Sequence, residues 1–272
     1  MKKGILLIIF LIIANYTCNG QEVIDFKVGY LPNLNYTLTQ KQISENNVKY
    51  IASDEILQNL RNRGIANPMI TNDTAMLKSV SKTGELNGNE FPIDIELLKS
   101  NNPTLVTGTR FFGKSIDGKM KIDSISIATM SEENKKNLLF TMESMMNQIK
   151  YPNRKIKVGE SFEQKNPMAL PIADVTIHVE INSIYTLKNV KNGMGYFDLD
   201  QVYTLKSATK DYKMELDGTG KGQVDYDIEK QFFTRFYLDM EMNLTTELEV
   251  FTIELQSRSF TDQTTEIERA GR

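Results

Sequence analysis

The chain has only one cysteine and one histidine in 272 residues. Cys18 has no second thiol to pair with, so an exported form must be held by its apolar core, which a chain of this length can build. The lone His178 falls short of the several imidazole or thiolate ligands that a zinc site needs. It also comes without identifiable partners for a Ser-His-Asp relay, and no G-x-S-x-G elbow accompanies it. Positive charge is in short supply as well: 32 Lys and Arg face 35 Asp and Glu, a net charge of −3, and neither half is strongly basic. Nucleic acid is therefore not an expected partner, and no motif calls for a cofactor.

What is present begins with MKKGILLIIFLIIANYTCNGQ. Lys2 and Lys3 precede an apolar run from Ile5 to Ala14 that is too short to span a bilayer, and small or polar residues follow, the order of a secretory signal peptide over residues 1–20. Cys18 and Gly20 sit three and one before Gln21, which suits cleavage before Gln21 and release of a soluble chain with net charge −5, two lysines fewer. Lipidation at Cys18 is the other route, although Asn15, Tyr16 and Thr17 are bulkier than the residues that usually precede a lipoprotein cysteine. An exported protein without disulfides points to a bacterial envelope, in the periplasm or at the outer-membrane surface of a Gram-negative cell.

The rest of the chain is dominated by period-two alternation. In FFTRFYLDMEMNL, residues 232–244, Phe236, Leu238, Met240, Met242 and Leu244 share one parity while Arg235, Tyr237, Asp239, Glu241 and Asn243 take the other. That is a strand with one dry and one wet face; at roughly 3.3 Å per residue it reaches about 40 Å, longer than a small flat sheet requires. Similar runs are read around Phe26 to Tyr30, Tyr36 to Leu38, Met76 to Leu98, Thr109 to Phe112, Met120 to Ile127, Val175 to Ile181, Phe197 to Leu205, Tyr212 to Leu216, Val224 to Ile228 and Phe251 to Leu255. Asn87-Gly88, Asp117-Gly118, Asn192-Gly193 and Asp217-Gly218 supply turn chemistry between antiparallel neighbours.

Two helices interrupt the strands. Ser53 precedes a short one, DEILQNLRNR, with Gly64 as its stop. The main one is read from Ser131 to Lys150, with Ser131 as cap, Glu132 and Glu133 at the positive end of the dipole, and Leu138, Met142, Met145 and Ile149 in one stripe. The expected fold is mainly β (α+β): a long curved antiparallel sheet or half-barrel packed on this amphipathic helix, with the helix facing the wall that carries Met240 and Met242. One domain, 21–265, is expected, with sheet halves 21–130 and 154–262 bracketing helix 131–150 and a polar tail at 266–272. An echo between Phe26-Lys27-Val28-Gly29 and Ile156-Lys157-Val158-Gly159 fits two related halves.

Few constellations carry chemistry. Gly218-Thr219-Gly220-Lys221-Gly222 has the glycines of a phosphate loop, but the residues after it alternate as a strand where a phosphate cradle needs a helix. A glycine-kinked hairpin accounts for it better. Asp198 with Asp200, and Asp225 with Asp227 and Glu229, would meet on one calcium ion or act as acid catalysts if their strands converged, yet alternating acids are also what a solvent-facing strand carries. Lys150, Arg154, Lys155 and Lys157 flank Pro152, as a solvated loop or a membrane-surface contact. Methionine offers the most specific lead. Met142, Met145 and Met146 on the helix, with Met214, Met240 and Met242 on strands, would line an interior able to adapt to an acyl chain or other apolar ligand; ordinary core packing is the alternative.

The leader ending in NGQ, the segment YPNRKIKVGESF (151–162) and GTGKGQVDYD (218–227) ahead of long Met-containing strands together resemble an uncharacterised family of exported bacterial envelope proteins, many of them lipoproteins. The architecture this resemblance implies is similar to that of the outer-membrane lipoprotein carriers, in which a strongly curved antiparallel sheet forms an incomplete barrel closed by helices and holds acyl chains in its concavity. The function expected is non-catalytic binding of a lipid or other apolar ligand. A structural or adhesive module with a filled core and a carboxylate-dependent hydrolase stand as alternatives.

Overall fold

The structure, a computed structural model, describes residues 22–101, 106–127, 130–148, 150–172, 175–208 and 213–271. The leader with Cys18, and Ile149 and Tyr212, lie outside them, as does the side chain of Met145. In chain order the elements are β1 (Val23–Phe26), β2 (Leu34–Ala52), α1 (Asp54–Asn62), β3 (Met69–Thr83), β4 (Glu90–Ser100), β5 (Arg110–Ile116), β6 (Lys119–Ile125), α2 (Glu132–Gln148), β7 (Arg154–Lys157), β8 (Ser161–Ile172), β9 (Val175–Lys191), β10 (Met194–Ala208), β11 (Lys213–Asp227), β12 (Phe232–Glu247) and β13 (Phe251–Arg269).

Eleven strands form one curved, unclosed antiparallel sheet in the order β6-β5-β4-β3-β2-β13-β12-β11-β10-β9-β8. Apart from β2 and β13, neighbours in space are neighbours in sequence: two meanders, β2–β6 and β8–β13, are joined where the first long strand pairs with the last, and β6 and β8 are the open edges. That seam is continuous from Phe251↔Ala52 to Arg269↔Leu34. The turns follow their sequence signatures. Asn192-Gly193 and Asp117-Gly118 close two-residue hairpins with φ of 54° and 76°, and of 51° and 76°, the left-handed pair that Asn, Asp and Gly supply.

Alternation sorts each strand into an inner and an outer face, and the inner face is not uniformly dry. At one end Phe91, Ile93, Ile95 and Leu97 of β4, Phe111 of β5 and Met120, Ile122 and Ile125 of β6 form a core against Leu138, Leu139, Met142 and Met146 of α2. At the other, β1 and β7 pair as a separate ribbon, Ile24 opposite Ile156. Ile24, Phe26 and Ile156 bury themselves against Phe162, Tyr185, Leu187, Phe197, Leu199, Val224 and Tyr226. The two echoed segments are not partners in this ladder: Phe26 lies opposite Arg154 and Ile156 opposite Ile24. Tyr226 secures the ribbon, its hydroxyl donating to the Lys27 carbonyl at 2.6 Å and accepting the Lys27 N–H at 3.2 Å. Between these ends, the inward residues of β2 and β13 are Gln40, Gln42, Ser44 and Asn46 facing Gln263, Thr261, Ser259 and Ser257.

Four expectations are corrected. α2 does not face the wall bearing Met240 and Met242. It follows β6 through a short connection and packs on the nearest apolar surface, β4–β6, where Asn147 bonds both the N–H and the carbonyl of Met120 and Glu143 accepts the Ile122 N–H, capping the open edge of β6. Asp217-Gly218 is not a turn, and Gly218 to Gly222 is not a hairpin: β11 runs straight through them. A Cβ at Gly222 would lie 2.0 Å from the Tyr237 carbonyl oxygen, and one at Gly218 would lie 3.0 Å from the Tyr203 side chain, so these glycines admit close neighbours within a sheet. β2 extends far beyond Leu38, to Ala52. Finally, β13 continues to Arg269, so most of the segment read as a polar tail is strand paired with β2.

Candidate functional site

The inner wall needs a cover wherever it is apolar, and α2 supplies one over β4–β6. Between its Met142 and Met146 and the inner faces of β2–β5 lies a cavity of about 210 Å³. Its aromatic side is built by three rings from separate segments: Tyr30 and Tyr36 meet edge-on at 4.8 Å, and Phe232 lies 5.3 Å from the first and 4.9 Å from the second. Leu38, Leu77, Ile95, Leu97 and Phe111 provide the aliphatic and remaining aromatic lining.

The polar atoms of the lining are few and uncharged. The Tyr36 hydroxyl accepts the Leu31 N–H at 2.7 Å, and the Tyr30 hydroxyl stands 3.5 Å from Ser81 Oγ. Burial pushes the Tyr30 phenol above its ordinary pKa and that of Tyr36 up to about 12, the Leu31 N–H pulling the latter back only in part. Both phenols are therefore neutral at physiological pH. Gln40, Ser79 and Thr265 complete the polar set. Thr265 is buried at 4 % exposure, and its hydroxyl oxygen, shut off from solvent, has no hydrogen-bond partner among the described residues.

Of the methionines singled out in the sequence, Met142 and Met146 line this cavity. Met214 and Met240 pack elsewhere, against Ile177, Val179, Tyr203 and Leu244 on the β9–β12 part of the wall. Met242 is buried beside a different, broader hollow of about 530 Å³ whose other lining residues include Glu45, Asn47, Asn72, Glu241, Asn243, Gln256 and Arg258. The structure therefore divides the five whose side chains are described among separate places instead of gathering them round one interior. The residues that complete the cavity, Tyr30, Tyr36, Phe232 and Thr265, come from strand ends and a connection. Tyr36 was legible as a strand residue, but nothing in its local sequence shows that it meets Tyr30 and Phe232.

The acidic and basic candidates are spread over the outer faces. Asp198 pairs with Lys188 at 3.5 Å, and Asp225, opposite Arg235 in the ladder, has its pKa raised by burial, with Arg235 acting against that shift. His178 is exposed between the buried Ile177 and Val179, and no cluster of three or more His, Cys, Asp or Glu suited to a metal ion occurs among the described residues. Arg154 of the basic group is engaged by Glu160, which also accepts the Lys157 N–H at 3.0 Å.

No family model matches the chain, and no curated protein matches it. Among solved structures, the type II secretion secretin GspD of E. coli K12 aligns at 9% identity over 98% of this chain and 54% of that one, with a TM-score of 0.17. This chain thus spans about half the length of that secretin chain. Pseudomonas aeruginosa OpdK, solved with vanillate, aligns at 4% identity over 85% and 99%, with a TM-score of 0.20. Scores this low do not establish a common fold.

Proposed function

We propose that this is a non-catalytic exported protein of the bacterial envelope that holds an apolar or amphipathic ligand between α2 and the inner wall of its open sheet. The observation that carries the reading is the cavity of about 210 Å³ behind Met142 and Met146, at a place where helix and sheet would otherwise close into core. Its size lies between an apolar cavity of about 150 Å³ that admits benzene and the roughly 300 Å³ at which drug-sized pockets begin. A single ring or a short stretch of acyl chain is the matching scale. Two methionines on the helical side suit such a guest, because an unbranched thioether side chain refits at little cost. The leader pattern of Lys2, Lys3 and the apolar run supports export, with release before Gln21 or anchoring through Cys18.

The test is direct. Protein isolated from envelope fractions is weighed intact under native conditions, and the same protein labelled with [methyl-13C]methionine is titrated with toluene. Co-purifying apolar mass and toluene-dependent shifts of the Met142 and Met146 methyl signals, assigned with Met142→Leu and Met146→Leu, are expected. Shifts confined to other methionines, or none at all, sink the reading and favour a structural or adhesive module. The intact mass also separates cleavage before Gln21 from acylation at Cys18.

A further inference from the structure

We infer that the cavity and the polar inner wall beside it form one site for an uncharged amphiphile, its apolar end behind Met142 and Met146 and its hydroxyl- or amide-bearing head on Gln40, Gln42, Thr261 and Gln263. This rests on the proposed binding role and specifies the ligand class. The first observation is where the cavity opens. Along β2 its lining runs from Tyr36, 2 % exposed, through Leu38 to the half-buried Gln40. Beyond Gln40 the inward residues are Gln42, Ser44 and Asn46, so the apolar lining passes into the polar seam without a break in the strand.

The second observation is what stands at that opening. Gln40 lies opposite Gln263 and Gln42 opposite Thr261, four inward side chains in a two-by-two patch. Such neighbours are about 5 Å apart across the ladder and about 7 Å apart along a strand, the span of a single sugar ring. All four are half-buried, their polar atoms are not sealed from solvent, and none has a side-chain hydrogen-bond partner among the described residues. A carboxamide presents donors and an acceptor together, which neighbouring hydroxyls or an amide can meet in pairs. The third observation is charge. From Gln40 to Asn46 and from Ser257 to Gln263 the inward positions hold only amides and hydroxyls, whereas the outward ones include Lys41, Glu45, Arg258 and Asp262. None of the described residues lining the cavity is charged either. A head group there finds hydrogen bonds but no countercharge, which an ion needs in exchange for its water. The inward row of β3 carries one charge, Asp73 opposite Ser44; it repels an anion and, being exposed, adds little for a cation. At the closed end the Tyr36 hydroxyl accepts the Leu31 N–H, and its own proton has no acceptor among the described residues. Burial keeps that phenol neutral, so it sets no demand for charge on the inserted end.

The experiment holds the chain constant and varies the head: 1-hexanol, n-hexyl β-D-glucoside, n-hexyl phosphate and n-hexylammonium are each titrated into the full-length mature protein while the Met142 and Met146 methyl signals are followed. The glucoside should bind about tenfold more tightly than hexanol, the net worth of one or two neutral hydrogen bonds, and both ions at least tenfold more weakly than the glucoside. Gln42→Leu and Gln263→Leu, both at half-buried positions outside the cavity lining, should each cut the glucoside-to-hexanol ratio at least threefold. Either ion binding as tightly as the glucoside overturns the inference, as does a ratio near one or a ratio that neither substitution alters. In those cases hexanol-dependent shifts would still leave the cavity reading intact. If neither hexanol nor toluene moves the two methyl signals, the binding role falls and the inference with it.

Discussion

Phenylalanine 26 shows how much of this protein is settled by single aromatic residues. Its ring meets those of Tyr151, Phe162, Phe197, Tyr226 and Phe233 at centroid distances from 4.9 to 6.4 Å, so a four-residue strand that could not stand alone becomes the plug of one end of the sheet. Buried phenols also set the alkaline limit. Tyr36 and Tyr203 are raised to about 12, and Tyr30, Tyr151, Tyr185 and Tyr226 are raised as well, in each case chiefly by burial. In the unfolded chain these groups ionise near pH 10, so above that pH the unfolded state gives up protons that the folded state retains, and stability falls as pH rises. The urea midpoint should show no contribution from them below about pH 9 and should drop steadily from about pH 10 towards 12. A midpoint that holds through pH 11 would mean that these phenols are not sealed from water. The cavity was only partly legible at this scale. Met142 and Met146 announced themselves through helical spacing, whereas Thr265 lies in a polar stretch with no pattern to single it out.

Elements were legible wherever one face differs from the other. β12 was read with nearly its observed bounds because Phe236 to Leu244 alternate cleanly with charged and polar residues, and α2 because its Ser131 side chain accepts the Asn134 N–H at 3.3 Å, as a cap should. β2 was missed past Leu38 for the opposite reason: Gln40, Gln42, Ser44 and Asn46 on its inner face are as polar as Lys41 and Glu45 on its outer one, leaving no contrast to detect. Its strand form comes from pairing on both sides, with β13 and β3, not from its own residues. β11 misled through its glycines, whose usual meaning is a turn. Here they are spacers, which gives a sharp expectation: Gly222→Ala puts a methyl into the Tyr237 carbonyl at 2.0 Å and should cost about 1–3 kcal/mol or more, read from denaturant midpoints. Gly29→Ala, where a Cβ meets nothing within 4 Å, serves as the control and should change little.

The whole molecule is an open antiparallel sheet with an apolar core at each end, a polar inner wall along its central seam, and a different guard on each edge. α2 side chains occupy backbone groups of β6, and β8 carries Pro167, which offers no N–H to a further strand. Sequence order predicted antiparallel meanders but not that β2 and β13 would meet, because pairing between distant segments leaves no local trace. Removing residues 251–272 should therefore abolish a single cooperative melt, leaving β2 and β12 each with an unpaired edge; a truncated chain that melts within a few degrees of the full-length protein would contradict the importance of this seam. The Lys49–Glu254 pair shows the separation involved, 205 residues along the chain. At a synthesis rate of roughly 5–20 residues per second, the partner of β2 arrives about 10–40 s after β2 itself. During that interval β2 has only β3 beside it, so its other edge stays open until the final strand has been delivered.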